Sequence, residues 1–227
     1  MLAALTPVLV FIAFLLLLLV SLSAPIINTV FLFRLSANVS SSLFRSGASG
    51  SVQFGVWGYC ISAIKVAVIG INRATDGRCS STRLGYTFDS TVADALNADE
   101  LLDLISKTTT AALVLHPIAC GFTFLTLLIS LFILRRGSNG TSRLPSLITL
   151  GVGGLAAVLT SVVFLIDVIF VAVVRNRVRD ASDDNLDVVW GNAVWMTLGA
   201  TVALWLSLIG ACAGILTCGR RRKPTTY

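Results

Sequence analysis

The sequence predicts an all-α membrane protein of four transmembrane helices, with a folded loop on one side of the bilayer. Hydrophobic residues make up 56% of the 227 residues and charged residues only 12%, whereas a soluble domain carries about 25% charged residues. The mean hydropathy is +0.89. The apolar residues are gathered in runs that can cross a bilayer, which takes about 20 residues. These observations exclude a cytosolic enzyme, a nucleic-acid-binding protein and a disordered chain.

We expect a single tetraspan membrane domain. Its predicted spans cover about residues 5–27, 111–134, 146–174 and 190–218. They are joined by a large outer loop over 28–110, a turn over 135–145 and a second outer loop over 175–189, and a tail covers 219–227. The alternative for the first segment is a cleaved signal peptide, since Ser21 and Ser23 are small residues at a plausible cleavage position. A retained span is favoured, because no basic residue precedes the segment and its apolar run is long.

The basic residues predict the orientation of the chain. The turn and the tail carry seven basic residues and no acidic residue, namely Arg135, Arg136, Arg143, Arg220, Arg221, Arg222 and Lys223. The two other loops carry ten basic and ten acidic residues, and the remaining acid is Asp167. Basic residues close to membrane spans stay on the cytoplasmic side. The turn, the tail and both termini are therefore expected in the cytoplasm.

The loop over 28–110 is too long to be a plain connector and should carry structure of its own. Residues 52–70 are rich in β-branched and aromatic residues, and residues 79–89 are a further strand candidate. Residues 91–106 place apolar side chains at helical spacing, so an amphipathic helix is expected to lead into the second span. The loop should therefore contain a small β-layer.

Two cysteines and one glycosylation signal lie in this loop. Cys60 and Cys79 flank strand-like segments joined by a turn, and the predicted orientation places both in an oxidising compartment. A disulfide between them would staple a small sheet, and two free thiols are the alternative. Asn38 begins the sequence Asn-Val-Ser, which is a glycosylation signal on the same side of the membrane.

The clearest family signal is the sequence GVWGYC in the large loop. It contains Gly55, Trp57, Gly58, Tyr59 and Cys60. It resembles the G-L-W-x-x-C pattern in the first outer loop of claudin-like tetraspan proteins, where the pattern precedes a disulfide partner.

Four further motifs follow in order: HPIA from His116, IDV from Ile166, RNR from Arg175 and GNAVW from Gly191. Together with GVWGYC they resemble the PalI family of fungal plasma-membrane proteins over nearly the whole chain. The resemblance implies a claudin-like four-helix bundle with a disulfide-stapled extracellular β-layer.

The resemblance also implies a non-enzymatic role in the ambient-pH response. PalI-like proteins help a seven-span alkaline-pH sensor reach or stay at the plasma membrane. The same superfamily includes eisosome-associated tetraspan proteins that organise membrane domains and the cell wall, and this is the alternative function. The sequence contains no catalytic triad order, phosphate-binding loop, dinucleotide fingerprint or His/Cys metal cluster, so we expect neither enzyme activity nor a cofactor.

One polar pair is predicted inside the membrane. Asp167 is the only acidic residue within a predicted span, and His116 is the only histidine of the chain. Both lie at a similar depth, so we expect them to pair, with Asn192 as a second candidate partner for Asp167. An interhelical hydrogen bond is the favoured interpretation, because buried polar groups usually pair for structural reasons. The alternative is a pH-sensitive switch, because histidine titrates near neutrality.

Small residues recur on the last two predicted spans. Gly153, Ala157 and Ser161 are spaced four apart, and Gly210 and Gly214 form a G-x-x-x-G sequence. Such residues let helix backbones approach closely. Packing within the chain is the favoured interpretation, and self-association into a homo-oligomer is the alternative. The basic tail also predicts contact with anionic membrane lipid.

Overall fold

The structure is a computed structural model that describes residues 2–41, 46–62, 64–68, 71–75, 77–82, 99–136, 143–181 and 186–220. Its helices are α1 (Leu2–Ser21), α2 (Asp99–Arg136), α3 (Arg143–Ala181) and α4 (Asn192–Arg220). Its strands are β1 (Phe33–Ser41), β2 (Ser46–Phe54), β3 (Tyr59–Ile61), β4 (Ile64–Val68), β5 (Ile71–Thr75), β6 (Arg78–Cys79) and β7 (Leu186–Trp190). The described chain is therefore mostly helical, with a small sheet inserted after the first helix.

Three of the described helices are long and apolar enough to cross a membrane, over Leu113–Ile133, Ile148–Arg179 and Asn192–Cys212. The apolar part of α1, Leu5–Ser21, is shorter. The sequence extends the first apolar segment to about residue 27, but the helix ends at Ser21 and the next residues form turns. Pro25 explains this end, because proline cannot donate a helical hydrogen bond and restricts the residue before it.

The helices pack through small side chains. α1 contacts α2 and α4, and α3 contacts the same two helices. Ala13, Ala157 and Ala200 are fully buried between them, which allows close approach of the backbones. The large apolar side chains on the outer surface of the helices are exposed, with Ile169 at 60% and Ile209 at 63%. This distribution suits a surface that faces lipid hydrocarbon rather than water.

Several buried hydroxyl groups are satisfied within their own helices. Thr123, Thr160 and Thr197 are fully buried, and each donates to the backbone carbonyl four residues earlier. The bonds measure 2.8, 2.7 and 3.0 Å. A buried hydroxyl without a partner is costly, and this local bond removes the cost without any contact to another helix.

The strands form one antiparallel sheet in the order β5-β4-β2-β1-β7, and β3 pairs with β2 and with β6. The long β1–β2 hairpin runs from the pair Phe33 and Phe54 to the pair Ser41 and Ser46. β7 comes from the segment between α3 and α4, and it pairs antiparallel with β1 from Phe33 and Trp190 onward. The sheet thus joins two segments that are far apart in the sequence.

The sheet and the helix ends share one apolar core, which we call the junction core. Its fully or nearly buried members come from both parts of the molecule. They are Val20, Val30, Leu32, Phe33, Phe54, Val56, Leu113, Val171, Val188, Ala193 and Val194. Phe33 stacks on Phe54 with ring centroids 4.5 Å apart, and the edge of Phe170 on α3 meets Phe33 at 5.7 Å. The sheet therefore rests directly on the helices.

Two connections differ from the sequence expectation. The expected amphipathic helix over 91–106 and the second span form one continuous helix from Asp99, and residues 91–98 lie outside the described residues. Within the loop expected over 175–189, α3 continues to Ala181 and β7 begins at Leu186. In β7, Val188 is buried between exposed Asp187 and Val189, which is the period-two pattern of a strand with one face on a core.

Candidate functional site: the junction and the intramembrane pair

The GVWGYC sequence forms the tight turn between β2 and β3. The Gly55 backbone N–H donates to the Gly58 carbonyl at 2.8 Å, which closes the turn. A Cβ atom at Gly55 would collide with the backbone of Ala24. Gly58 has φ of +151°, which side chains disfavour, and a Cβ atom there would collide with the Ser80 hydroxyl. Both glycines are therefore required by close approach to another segment.

The next two residues fasten this turn to the end of α1. The Trp57 indole N–H donates to the Ser21 carbonyl, and the Val56 backbone N–H donates to the Ser23 hydroxyl at 2.8 Å. The Trp57 backbone N–H also reaches the Ala24 carbonyl at 3.3 Å. Ser23 is fully buried, so its hydroxyl is an internal acceptor. These bonds supply partners for backbone carbonyl and amide groups that would otherwise have no hydrogen bond at the helix end and in the turn.

The disulfide predicted between Cys60 and Cys79 is confirmed. The two residues are register partners on β3 and β6, with Cα atoms 4.0 Å apart. Beside them, Ser80 makes two bonds with Tyr59: its backbone N–H donates to the Tyr59 carbonyl at 2.9 Å, and its hydroxyl accepts from the Tyr59 N–H at 3.1 Å. The Asn28 amide oxygen lies 3.4 Å from Cys60 Sγ. The disulfide thus holds the short strand β6 against the motif.

The GNAVW sequence fastens the start of α4 to the segment that precedes β1. The Gly191 N–H donates to the Leu32 carbonyl at 2.8 Å, and a Cβ atom at Gly191 would collide with the backbone of Phe31 and Leu32. The Asn192 side chain accepts from the Phe31 N–H at 3.1 Å and donates to the Thr29 carbonyl at 2.7 Å. Asn192, the second candidate partner of Asp167, is therefore used in the junction.

Inside the helices, the structure places His116 of α2 beside Asp167 of α3. His116 Nε2 and Asp167 Oδ2 are 3.2 Å apart. The two residues are 1% and 4% exposed, so the contact is shielded from solvent. His116 Nδ1 is also buried, and it has no hydrogen-bond partner.

The backbone at this pair has one unusual feature. Pro117 follows His116 inside α2. Proline has no N–H, so the carbonyl of Leu113 loses its regular helical partner. Membrane helices tolerate such a site when neighbouring groups compensate, and it is a common place for a helix to bend. The polar pair therefore lies where α2 lacks one of its regular backbone hydrogen bonds.

Three of the small residues predicted to support close helix packing contact other helices. A Cβ atom at Gly153 would touch Leu208 and Thr126 at 3.3 Å, and Gly210 lies against Thr6 of α1. Ser161 accepts from the Trp205 indole N–H at 3.1 Å, which links α3 to α4. Gly153, Ser161 and Gly210 therefore contact other helices of the same chain, and the surroundings of Gly214 lie outside what the structure describes.

Among the other predicted site residues, Asn38 lies on β1 opposite Ser49. In the described part of the chain, no three His, Cys, Asp or Glu side chains come together as a metal site. Sequence reasoning missed Ser21, Ser23 and Ser80, which accept or donate the hydrogen bonds of the motif. No local signal identifies them, because their partners are 36, 33 and 21 residues away in the sequence.

The SUR7/PalI family model matches residues 3–207. The pH-response regulator protein palI/RIM9 of Yarrowia lipolytica is 28% identical over 202 residues, which is 87% of this chain and 22% of that relative. The chain therefore spans about a fifth of the length of the relative. Because the family model covers nearly the whole chain, including both glycine motifs and the intramembrane pair, this protein is a member of the SUR7/PalI family.

Proposed function

We propose that this protein is a non-enzymatic plasma-membrane accessory protein of the fungal alkaline-pH response, which assists the assembly or localisation of a seven-span pH sensor. The observation that carries the proposal is the similarity to a pH-response regulator over 87% of the chain. It is supported by the structural use of the family motifs, which build the junction rather than a catalytic site.

The proposed architecture is a claudin-like bundle of four spans with an extracellular sheet. α1 supports this proposal although its apolar part is short, because Val10, Ala13, Leu17 and Val20 are buried against the other helices. Removal of α1 as a signal peptide would strip these contacts from the core and leave Trp57 without its acceptor on Ser21. We therefore propose that α1 is retained and that both termini are cytoplasmic, as the basic residues indicate.

This architecture suits an accessory protein. A rigid extracellular sheet offers a surface to a membrane partner, and the apolar helix faces contact membrane lipid. Asn38 is proposed to carry a glycan on the same side. Self-association remains compatible with these surfaces and is not required by the packing of Gly153 or Gly210.

The second candidate function is that of an eisosome-type organiser of membrane domains or the cell wall. It is favoured by the family model, which joins SUR7 and PalI proteins in one family. The two functions differ in their loss phenotypes. Loss of a pH-response protein impairs growth in alkaline medium, whereas loss of an organiser disturbs membrane patches or wall integrity at any pH.

The deciding experiment is a deletion strain in which the seven-span sensor carries a fluorescent tag. We expect less sensor at the cell surface and poor growth in alkaline medium, both restored by the wild-type gene, and co-purification of the sensor with this protein. Normal sensor localisation and normal alkaline growth would overturn the proposed function. Wall or patch defects at every pH would then favour the second candidate.

Topology is tested separately with a glycosylation site added after Tyr227. It should stay unmodified, and Asn38→Gln should remove a glycan from the wild-type protein. A modified carboxyl terminus would overturn the proposed orientation.

A further inference from the structure

We propose that Arg34 binds the phosphate group of an anionic phospholipid, in the membrane leaflet that lies on the side of the sheet. The site is on the face of the sheet opposite the junction core. The proposal rests on the assignment of α1 and α4 as membrane spans, and it is independent of a role in the pH response.

The sheet holds the Arg34 side chain in one orientation. Arg34 and Gln53 are register partners on β1 and β2. The preceding pair, Phe33 and Phe54, belongs to the junction core, so Arg34 lies on the opposite face of the sheet. With its side-chain oxygen facing the guanidinium, Gln53 accepts from Arg34 Nη2 at 2.6 Å and from Nε at 3.2 Å. The Gln53 amide nitrogen donates to the Asn28 carbonyl at 2.9 Å, which fixes the amide in turn.

These contacts orient Arg34 without neutralising its charge. Gln53 is neutral, and the Phe31 ring, whose centroid lies 4.8 Å from the guanidinium carbon, attracts a cation but carries no net charge. Asp187 is the only acidic residue on the described strands, and it is the register partner of Ser36. Among the described residues, no carboxylate lies within ion-pair distance of Arg34. The positive charge is therefore available to an external anion.

The remaining donors of Arg34 match the geometry of a phosphate. A guanidinium carries five N–H groups in one plane, and Gln53 accepts from one on Nε and one on Nη2. Three N–H groups remain outside that contact. They include a neighbouring pair on Nη1 and Nη2, which can bind two oxygens of one phosphate at once.

The site lies at the level where the protein surface changes from apolar to polar. On two helices and on the segment after α1, an exposed apolar side chain is followed within three residues by an exposed polar one, always close to a junction-core residue. The apolar and polar members are Trp195 and Asn192 on α4, Val173 and Arg175 on α3, and Ile26 and Asn28 after α1. Arg34 directly follows Phe33 of the junction core, which places it in the headgroup layer of the proposed membrane.

The contacts of Phe31 connect the site to the lipid-facing surface of α4. The Phe31 N–H donates to the Asn192 side chain, and the Ala193 N–H donates to the Phe31 carbonyl, both at 3.1 Å. Trp195, about one helical turn after Asn192, is 64% exposed. A ligand with an anionic head and apolar chains can contact Arg34 and this surface together, whereas a soluble anion uses only the arginine. A zwitterionic headgroup carries its own cation beside the phosphate, so an anionic phospholipid is the expected ligand.

The test is native mass spectrometry of the full-length protein in a non-ionic detergent, titrated with phosphatidylserine or with phosphatidylcholine. We expect tighter binding of phosphatidylserine to the wild-type protein. Arg34→Gln should weaken this binding about tenfold, because it removes hydrogen bonds to a charged group. Gln53→Glu should weaken it similarly although the arginine is kept, because the new carboxylate compensates the charge in place. Millimolar inorganic phosphate should not displace the lipid.

The matched control is Arg177→Gln, which removes an exposed arginine from the end of α3 and should keep wild-type affinity. The basic tail is intact in every variant, so lipid bound there does not affect the comparison. Equal losses in Arg34→Gln and Arg177→Gln, wild-type affinity in Gln53→Glu, or equal binding of the two lipids would overturn the site. Displacement by inorganic phosphate would overturn a lipid as its ligand.

Formation of the Cys60–Cys79 disulfide is the folding criterion for each variant. Should Arg34→Gln fail it, Gln53→Glu decides under the same criteria. Should both fail, hydrogen–deuterium exchange of the wild-type protein decides. Residues 28–35 should then exchange more slowly in phosphatidylcholine nanodiscs that contain phosphatidylserine than in phosphatidylcholine alone, and equal exchange would overturn the site.

Discussion

The junction and the intramembrane pair are built in opposite ways. At the junction, the end of α1, the β2–β3 turn, the segment before β1 and the start of α4 are joined by several backbone hydrogen bonds and close glycine contacts, and a disulfide holds β6 to β3 beside them. Within the helices, the described side chains of His116 and Asp167 link α2 to α3, and His116 Nδ1 has no hydrogen-bond partner. The junction therefore uses several kinds of contact together, whereas the pair is a single contact between two side chains.

The difference follows from the surroundings of each region. At the junction, backbone groups at helix ends and turns must find partners, and the short connections place many of them together. Within the helices, most backbone groups are satisfied by regular helical bonds and several buried hydroxyls bond to carbonyls of their own helix, so few polar groups remain to link two helices. Changes at the junction should therefore affect folding, and changes at the pair should affect the relation of two helices.

The largest effect is expected from loss of the disulfide. Cys60→Ser and Cys79→Ser should each lower the free energy of unfolding by about 3 kcal/mol, the amount that a loop of about 20 residues predicts. The double variant should be no worse than either single variant, because one bond is lost in all three. Thermal unfolding in detergent and surface expression measure this. Additive defects would show that each cysteine has a separate role.

The next largest effect is expected from Gly191→Ala. This substitution should lower the free energy of unfolding by about 2 kcal/mol or more, because the new Cβ atom would collide with the backbone of Phe31 and Leu32. The matched control is Gly151→Ala on α3, where a Cβ atom meets nothing within 4 Å. The control should be neutral or slightly stabilising, since alanine favours helix. Equal thermal stability of the two variants would contradict the close fit at the start of α4.

Asp167→Leu should lower the free energy of unfolding by about 1–2 kcal/mol, because it leaves His116 without its partner. This is the range measured for interhelical hydrogen bonds in model peptides. Asp167→Asn should cost less in the same unfolding measurement, because the amide still forms a hydrogen bond. Wild-type stability and wild-type alkaline growth of Asp167→Leu would show that the pair matters neither for structure nor for regulation.

The smallest effect is expected from Trp57→Phe, which keeps a ring in the junction but removes the bond to the Ser21 carbonyl. The expected loss is about 1 kcal/mol, the net value of one hydrogen bond. Trp195→Phe is the control, since Trp195 is 64% exposed and its indole N–H has no partner among the described residues. Similar melting temperatures for the two variants would show that other bonds hold the turn to α1 without Trp57.

The sequence was informative where the signal is local or compositional. The apolar runs, the β-branched residues and the paired cysteines predicted helices apolar enough to span a membrane, a small sheet in the large loop and the disulfide, and these expectations are confirmed. The motifs identified the family, which the family model confirms. The end of α1 and the strand β7 were missed. Pro25 lies within an apolar run, so composition alone did not indicate where α1 ends. The strand β7 has five residues in a charged segment, and it forms because it pairs with β1, which is distant in the sequence.

By itself, the sequence of this protein determined which segments are apolar enough for a membrane, which cysteines share a loop and which family the chain belongs to. These properties depend on residue types and short spacings. Only the tertiary structure decided what the motif residues contact: that Gly55 lies against Ala24, that Asn192 bonds to the loop before β1 rather than to Asp167, and that His116 Nδ1 is unpartnered. Such contacts join residues distant in sequence, and their geometry is set by how the helices and the sheet pack together.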